Sequence, residues 1–181
     1  MSENLQISIS RSSTLTSLSD NVKFINEKLI QKICIILENV IKLNNTSSSK
    51  NKTIFSCEEI PKISLYDYLY RIQKYLKVED NTLILALIYI DRICKNDKYM
   101  INACNIHKIL FVAIILAIKY NEDIFFTNHF YAKVGGITSK ELKYLELKFA
   151  SVVQFNFFVE KSFYDKYYKY INNDNILKNI N

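Results

Sequence analysis

The chain has 181 residues, 49% of them hydrophobic, which suffices for one packed domain with tails and is too apolar for a disordered polymer. Its formal charge of +6 comes with Lys and Glu interleaved, the pattern of a solvated basic surface rather than of a nucleic-acid footprint. With only 2 Gly and 1 Pro, strands joined by tight turns are disfavoured and long helices joined by polar loops are expected.

Residues 1–19 are rich in Ser and Thr without sustained apolar period, and read as a disordered tail. From about Asp20 to Lys42, Val22, Ile25, Leu29, Ile33, Ile36, Leu37, Val40 and Ile41 recur at three- and four-residue steps, marking one buried stripe of an accessory helix (20–43). The run NNTSSSKNK follows as a flexible linker (44–54). The compact part occupies 55–158, and residues 159–181 form a last helix with its tail.

Within the compact part, Ser64-x-x-Asp67 offers a capping box for a helix to about Leu76. A further helix is expected over Asp80–Lys95. Asn105 is placed to cap a fourth, Ile106–Tyr120, which is apolar nearly all round and therefore belongs in the middle of a bundle. Thr127 starts a short helix ended by Gly135-Gly136, and Thr138-x-x-Glu141 starts another to about Gln154. Ser162–Ile171 is the last, with Phe163, Tyr167, Tyr170 and Ile171 as its buried stripe. The fold class expected is all-α, a bundle of five helices around a central apolar helix, with one extra helix before and one after.

The four cysteines, Cys34, Cys57, Cys94 and Cys104, form no CxxC pair, and no second pair completes a zinc site beside Cys104 and His107. There is no phosphate-cradling glycine loop, and the two histidines, His107 and His129, lack catalytic company. Neither enzymatic activity nor a cofactor or metal is expected. No apolar leader follows Met1, and the greasy run Ile109–Ile118 is too short to span a bilayer. A soluble intracellular protein of the nucleus, the cytoplasm or both is expected, with no membrane attachment. Three charges resist a bland account: Asp91 inside LILALIYIDRI, Lys119 at the end of the apolar helix, and Glu146 after an apolar run. A charge at the edge of a core is costly unless partnered, so each should meet an opposite charge, a row of backbone groups or a partner protein.

At those residues the sequence resembles the cyclin box. ALIYIDRI (Ala86 to Ile93) is similar to AxxYIDRFL, LFVAIILAIKYNED (Leu110 to Asp123) to LAxKYxE, and ELKYLELKFASVVQFNF (Glu141 to Phe157) to the fifth helix of the box. IPxISLYDYLxRIxKY (Ile60 to Tyr75) and TNxxYAKVGGI (Thr127 to Ile137) resemble the P-type, phosphate-signalling branch. The resemblance implies a single cyclin box that binds and activates a cyclin-dependent serine/threonine kinase, as the monomeric partner in a heterodimer, with no nucleic acid expected. It implies kinase contacts at Lys119, Tyr120, Glu146, Phe155 and Phe157, which press the kinase C-helix inward and order its activation loop. It also implies a structural pair between Lys62 and Asp91, with Lys standing where the family has a forked Arg. The family's Met-Arg-Ala-Ile-Leu docking segment is here Pro-Lys-Ile-Ser-Leu (Pro61 to Leu65), so substrates of the Arg-x-Leu type are not expected there. Asp123, outermost of Asn121-Glu122-Asp123, is read as a kinase-facing acid standing in for an activation-loop phosphate; the alternative is a solvated loop acid. Two other functions stay open: a nucleic-acid-binding transcription factor of the cyclin fold, and an inert helical scaffold.

Overall fold

The computed structural model describes residues 25–44, 52–173 and 176. The expected tail, residues 20–24 of the expected first helix and most of the expected linker lie outside them. Seven α-helices form among the described residues: α1 (Glu27–Asn44), α2 (Leu65–Leu76), α3 (Asp80–Cys94), α4 (Ile106–Asn121), α5 (Asn128–Gly135), α6 (Ser139–Val152) and α7 (Lys161–Asn172). A single 3-10 turn, Asp97–Tyr99, joins α3 to the loop before α4, and no strand is present among those residues. The five helices α2–α6 form the bundle, α1 precedes it and α7 follows it.

Local chemistry sets most of the boundaries. The Ser64, Thr127 and Thr138 hydroxyls accept from the backbone N–H of Asp67, Phe130 and Glu141, each satisfying a donor that the first turn leaves open. Gly136 takes φ 73°, the left-handed conformation that closes α5. Asn26 and Asn105 stand differently at the starts of their helices, and the side-chain cap expected of Asn105 is corrected. Among the described residues the first helix begins at Glu27, where the Asn26 side chain accepts from Leu29 N–H at 3.1 Å. Asn105 makes no side-chain cap on α4; its amide instead joins Asn102 N–H (2.8 Å) and the Met100 carbonyl (2.9 Å), tying the preceding loop together.

Helix α4 is the centre. Eleven of its 16 residues are buried, and α3 lies along it with α2 and α6 against its other sides. Burial of one Ile, Leu or Phe side chain contributes about 1.5–3 kcal/mol, so this helix holds the bundle by packing rather than by propensity. Helix α5 bridges α2 and α6, and it meets α4 at Gly135. A Cβ there would lie 2.4 Å from the Phe111 ring, so only glycine permits the approach. The Tyr68 hydroxyl donates to the Gly135 carbonyl from α2 at 3.2 Å, fixing α5 from its other side.

Helix α1 packs on α2 and α7, and is fastened at both ends. The Asn26 amide donates to Asp80 (2.7 Å) and the Asn44 amide to the Ile101 carbonyl (2.9 Å). Phe55, fully buried, meets Tyr99 and Phe149 edge-on and plugs the end of the core ahead of α2. The stripe expected on α7 is corrected as well. Only Ile171 of the expected four is buried; Tyr164 and Tyr167 are half-buried, while Phe163 and Tyr170 stand exposed. Between α1, α3 and α7 lies an apolar groove of about 440 Å³ whose lining includes Leu37, Val40, Leu87, Ile90, Asp91 and Tyr167.

Candidate functional site

The C-terminal turn of α4, the N-terminal turn of α5 and the middle of α6 converge at one place. Lys119 Nζ lies 2.5 Å from Glu146 Oε1 and donates to Asn128 Oδ1 at 2.6 Å. The Asn128 amide nitrogen donates to the second Glu146 oxygen at 2.9 Å, closing the triangle. Lys119 also sits 5.8 Å from the centre of the Tyr131 ring, whose negative face favours a cation. Lys119 and Glu146 therefore meet each other, so the polar demand that pointed to an outside partner is met within the fold. Asn128 is the residue that sequence reasoning missed. It stands in the TNxxYAKVGGI stretch, so its type was visible there, but its role depends on how α5 packs.

Beside this neutralised centre, the surface is apolar. Tyr120 follows Lys119 and is 53% exposed; Leu147 follows Glu146 and is exposed; Phe126, exposed, stands two residues before Asn128. In the loop after α4, Ile124 is 87% exposed and Phe125 is exposed too. That loop is not loose. The Phe126 N–H donates to the Tyr131 hydroxyl at 3.0 Å, and Phe126 packs on the Phe130 ring at 4.6 Å. Burial pushes the Tyr131 hydroxyl up to about 12, which keeps it protonated at neutral pH. Of the two loop acids, Glu122 accepts from the Thr82 hydroxyl at 2.8 Å, while Asp123 is exposed with no ion pair among the described residues.

A second cluster of aromatics follows α6. Gln154 (φ 55°) and Phe155 (φ 54°) both take the left-handed conformation, at about 1–2 kcal/mol each for residues with a Cβ. This reversal presents Phe155 and Phe158, 64% and 69% exposed. Phe157 turns inward instead and packs between Tyr89 (5.3 Å) and Tyr120 (5.7 Å). The Tyr120–Phe157 contact joins the α4 end to this turn, and Tyr89 of α3 backs it from inside.

A family profile described as Cyclin matches residues 9–157. The chain belongs to the cyclin family. Within it this cyclin belongs to the P-type branch. It is 37% identical over 153 residues to the PHO85 cyclin-like protein psl1 of Schizosaccharomyces pombe, covering 75% of this chain and 63% of that one. It is 30% identical over 145 residues to Cyclin-P3-1 of Oryza sativa subsp. japonica (77% and 61%), and 33% identical over 156 residues to Cyclin-U2-2 of Arabidopsis thaliana (86% and 64%). This cyclin therefore spans somewhat less than two thirds of the length of these relatives.

The remaining residues singled out in the sequence fall outside this surface. The pair expected between Lys62 and Asp91 does not form in this cyclin, and that expectation is corrected. Lys62 is exposed ahead of α2, and Asp91 is exposed on the α3 wall of the apolar groove, facing Tyr167. The Tyr167 hydroxyl is pushed up to about 12, by burial first and by the nearby Asp91 charge second. In the middle of the Pro61–Leu65 segment, the Ile63 carbonyl meets His107 Nε2 at 3.1 Å, and the His107 ring packs edge-on against Tyr68. No group of three or more His, Cys, Asp and Glu side chains gathers to hold a metal among the described residues. No described helix is long and apolar enough to cross a membrane.

Proposed function

We propose that this cyclin is the regulatory subunit of a cyclin-dependent serine/threonine kinase, binding it as one monomer in a heterodimer and switching it on. The reading rests on one observation: a charge-neutralised triad, Lys119–Asn128–Glu146, flanked by exposed Tyr120, Phe126, Leu147, Phe155 and Phe158. Monomeric proteins rarely leave so many large apolar side chains in water at one place, and partner surfaces of this composition are typical of protein interfaces. The name of psl1 refers to a PHO85 cyclin, which supports a kinase partner of that kind.

In this reading the aromatics supply the buried area of the contact, and the triad supplies polar groups at its centre without an unpaired charge. The kinase C-helix then packs on Tyr120 and Phe155, which brings its glutamate to the catalytic lysine. Asp123 projects from the same end of α4 toward the activation loop, as the negative group that an arginine cluster there requires.

The test is a pull-down from native extract with mass-spectrometric identification of the captured chains, followed by kinase assay with and without this cyclin. A captured kinase stimulated on addition of this cyclin is the expected result. Absence of any kinase, or an unchanged phosphorylation rate, overturns the reading.

A further inference from the structure

Three successive carbonyls after α6 accept bonds from α3. The Arg92 guanidinium donates to the Asn156 carbonyl at 2.5 Å and to the Phe158 carbonyl at 2.8 Å. Between them, the Tyr89 hydroxyl donates to the Phe157 carbonyl at 2.8 Å. Arg92 lies 5.8 Å from the centre of the Tyr89 ring, so the two donors brace each other. The turn held in this way contains two residues of positive φ, Gln154 and Phe155, a conformation that persists only where its surroundings impose it. Within the turn, Phe155 N–H donates to the Ala150 carbonyl at 2.7 Å, Gln154 N–H to Ser151 (3.1 Å), Asn156 N–H to Val153 (3.0 Å) and Phe157 N–H to Phe155 (3.1 Å), while the side-chain bonds to the 156–158 carbonyls come from α3.

We infer that Arg92 is a positioning residue for partner binding: its fork, with Tyr89, holds the 155–158 turn so that Phe155 and Phe158 are presented as one aromatic surface. This inference rests on the reading of that surface as the kinase contact. Two carbonyls two residues apart demand a planar donor with two arms. Guanidinium has that shape, with its donors on separate nitrogens, whereas an ammonium carries its three donors on one atom and cannot match the fork. Arg92 acts through the turn and needs no contact of its own with the partner. The two exposed rings are otherwise expensive to hold in place, since a free loop would let them collapse onto the core. Pre-ordering the turn removes that entropic cost from the binding step.

The experiment is a double-mutant cycle on the full chain with the kinase captured by the wild-type protein, read as dissociation constants. Arg92→Lys keeps the charge and loses the fork, and is expected to weaken binding about tenfold. The same change made in a Phe155→Ala/Phe158→Ala background is expected to add little, because the groups it positions are already gone. In the free protein, amide hydrogen exchange at 155–157 should rise while that of Leu145–Ala150 stays unchanged. Wild-type affinity in Arg92→Lys, fully additive losses, or unchanged exchange at 155–157 overturns the inference. Tyr89→Phe, which removes one donor and keeps the ring, is the milder second variant and should shift the same amides by less. If the wild-type chain captures no kinase, it is the proposed function that fails, and the exchange measurement still decides whether Arg92 holds the turn.

Discussion

Lys119 and Glu146, 27 positions apart, bring their charged atoms to 2.5 Å on two different helices of the bundle. The Lys119 side chain is 25% exposed and that of Glu146 11%, so the pair sits at the margin of the core rather than in water. Removal of either partner leaves the other half-desolvated beside Asn128. Lys119→Ala and Glu146→Ala should each lose about 2 kcal/mol of unfolding free energy in a urea titration, the double variant losing less than the sum. In the kinase complex each should also weaken binding by roughly thirtyfold. Full stability in both single variants would show that the pair is ornamental.

Asp123 is separable from the triad, being exposed while its neighbour Glu122 is engaged by Thr82. The complex should phosphorylate substrate even with a kinase whose activation-loop acceptor is replaced by Ala, and Asp123→Asn should reduce that rate. A rate indifferent to Asp123, or abolished with the acceptor, removes the phosphate-like role. Unfolding of Asp123→Asn should match wild type, since surface substitutions of this kind stay within about 0.5 kcal/mol.

His107 carries a pH dependence. Burial lowers its pKa from 6.5, and the Ile63 carbonyl opposes this more weakly. Its Nδ1 has no partner in the fold, so a proton there is unwelcome. Because the folded value is lowered, the neutral ring's stabilisation is fully present above pH 6.5 and is lost as pH falls through the folded value. The slope between the two is about 1.4 kcal/mol per pH unit at most. Denaturation midpoints at pH 7.5 and pH 5 should differ more for wild type than for His107→Gln, and equal shifts would acquit the ring.

Gly135→Ala should destabilise by about 1–3 kcal/mol, because the new Cβ falls 2.4 Å from the Phe111 ring. Phe111→Leu, placed in the same molecule, should recover part of the loss by withdrawing the ring. Thermal unfolding of the two single variants and the double decides it. A double variant weaker than the sum of the singles would mean that the collision is relieved elsewhere.

What could be read from the sequence was whatever is settled locally. Ser64, Thr127, Thr138 and Gly136 act on residues within a turn of themselves, and the all-round apolarity of α4 has only one home in a bundle. Asn105 defeats this logic because its amide found the Met100 carbonyl and Asn102 N–H in its own loop before it could serve the helix. The Lys119–Asn128–Glu146 triangle depends on three helices meeting, and the Arg92 fork spans 64 positions to Asn156; no local pattern encodes either. Asp91 and Lys62 were matched by likeness alone, and α1 and α7 give Asp91 different company. On α7, the face turned to the bundle carries Tyr164, Tyr167 and Ile171, which leaves Phe163 and Tyr170 of the expected stripe to solvent.

Helix α4 is enclosed along its length and meets solvent chiefly at its last turn, where Lys119 and Tyr120 emerge. An element of that kind has almost no freedom to drift, since nearly every interior substitution disturbs several neighbours at once. Change is therefore channelled to the tip. In the proposed kinase contact, residues 119–126 and the 155–158 turn are therefore where one cyclin can be retuned from one kinase to another while its interior stays as it is, and sequence divergence among partners of different kinases should concentrate there.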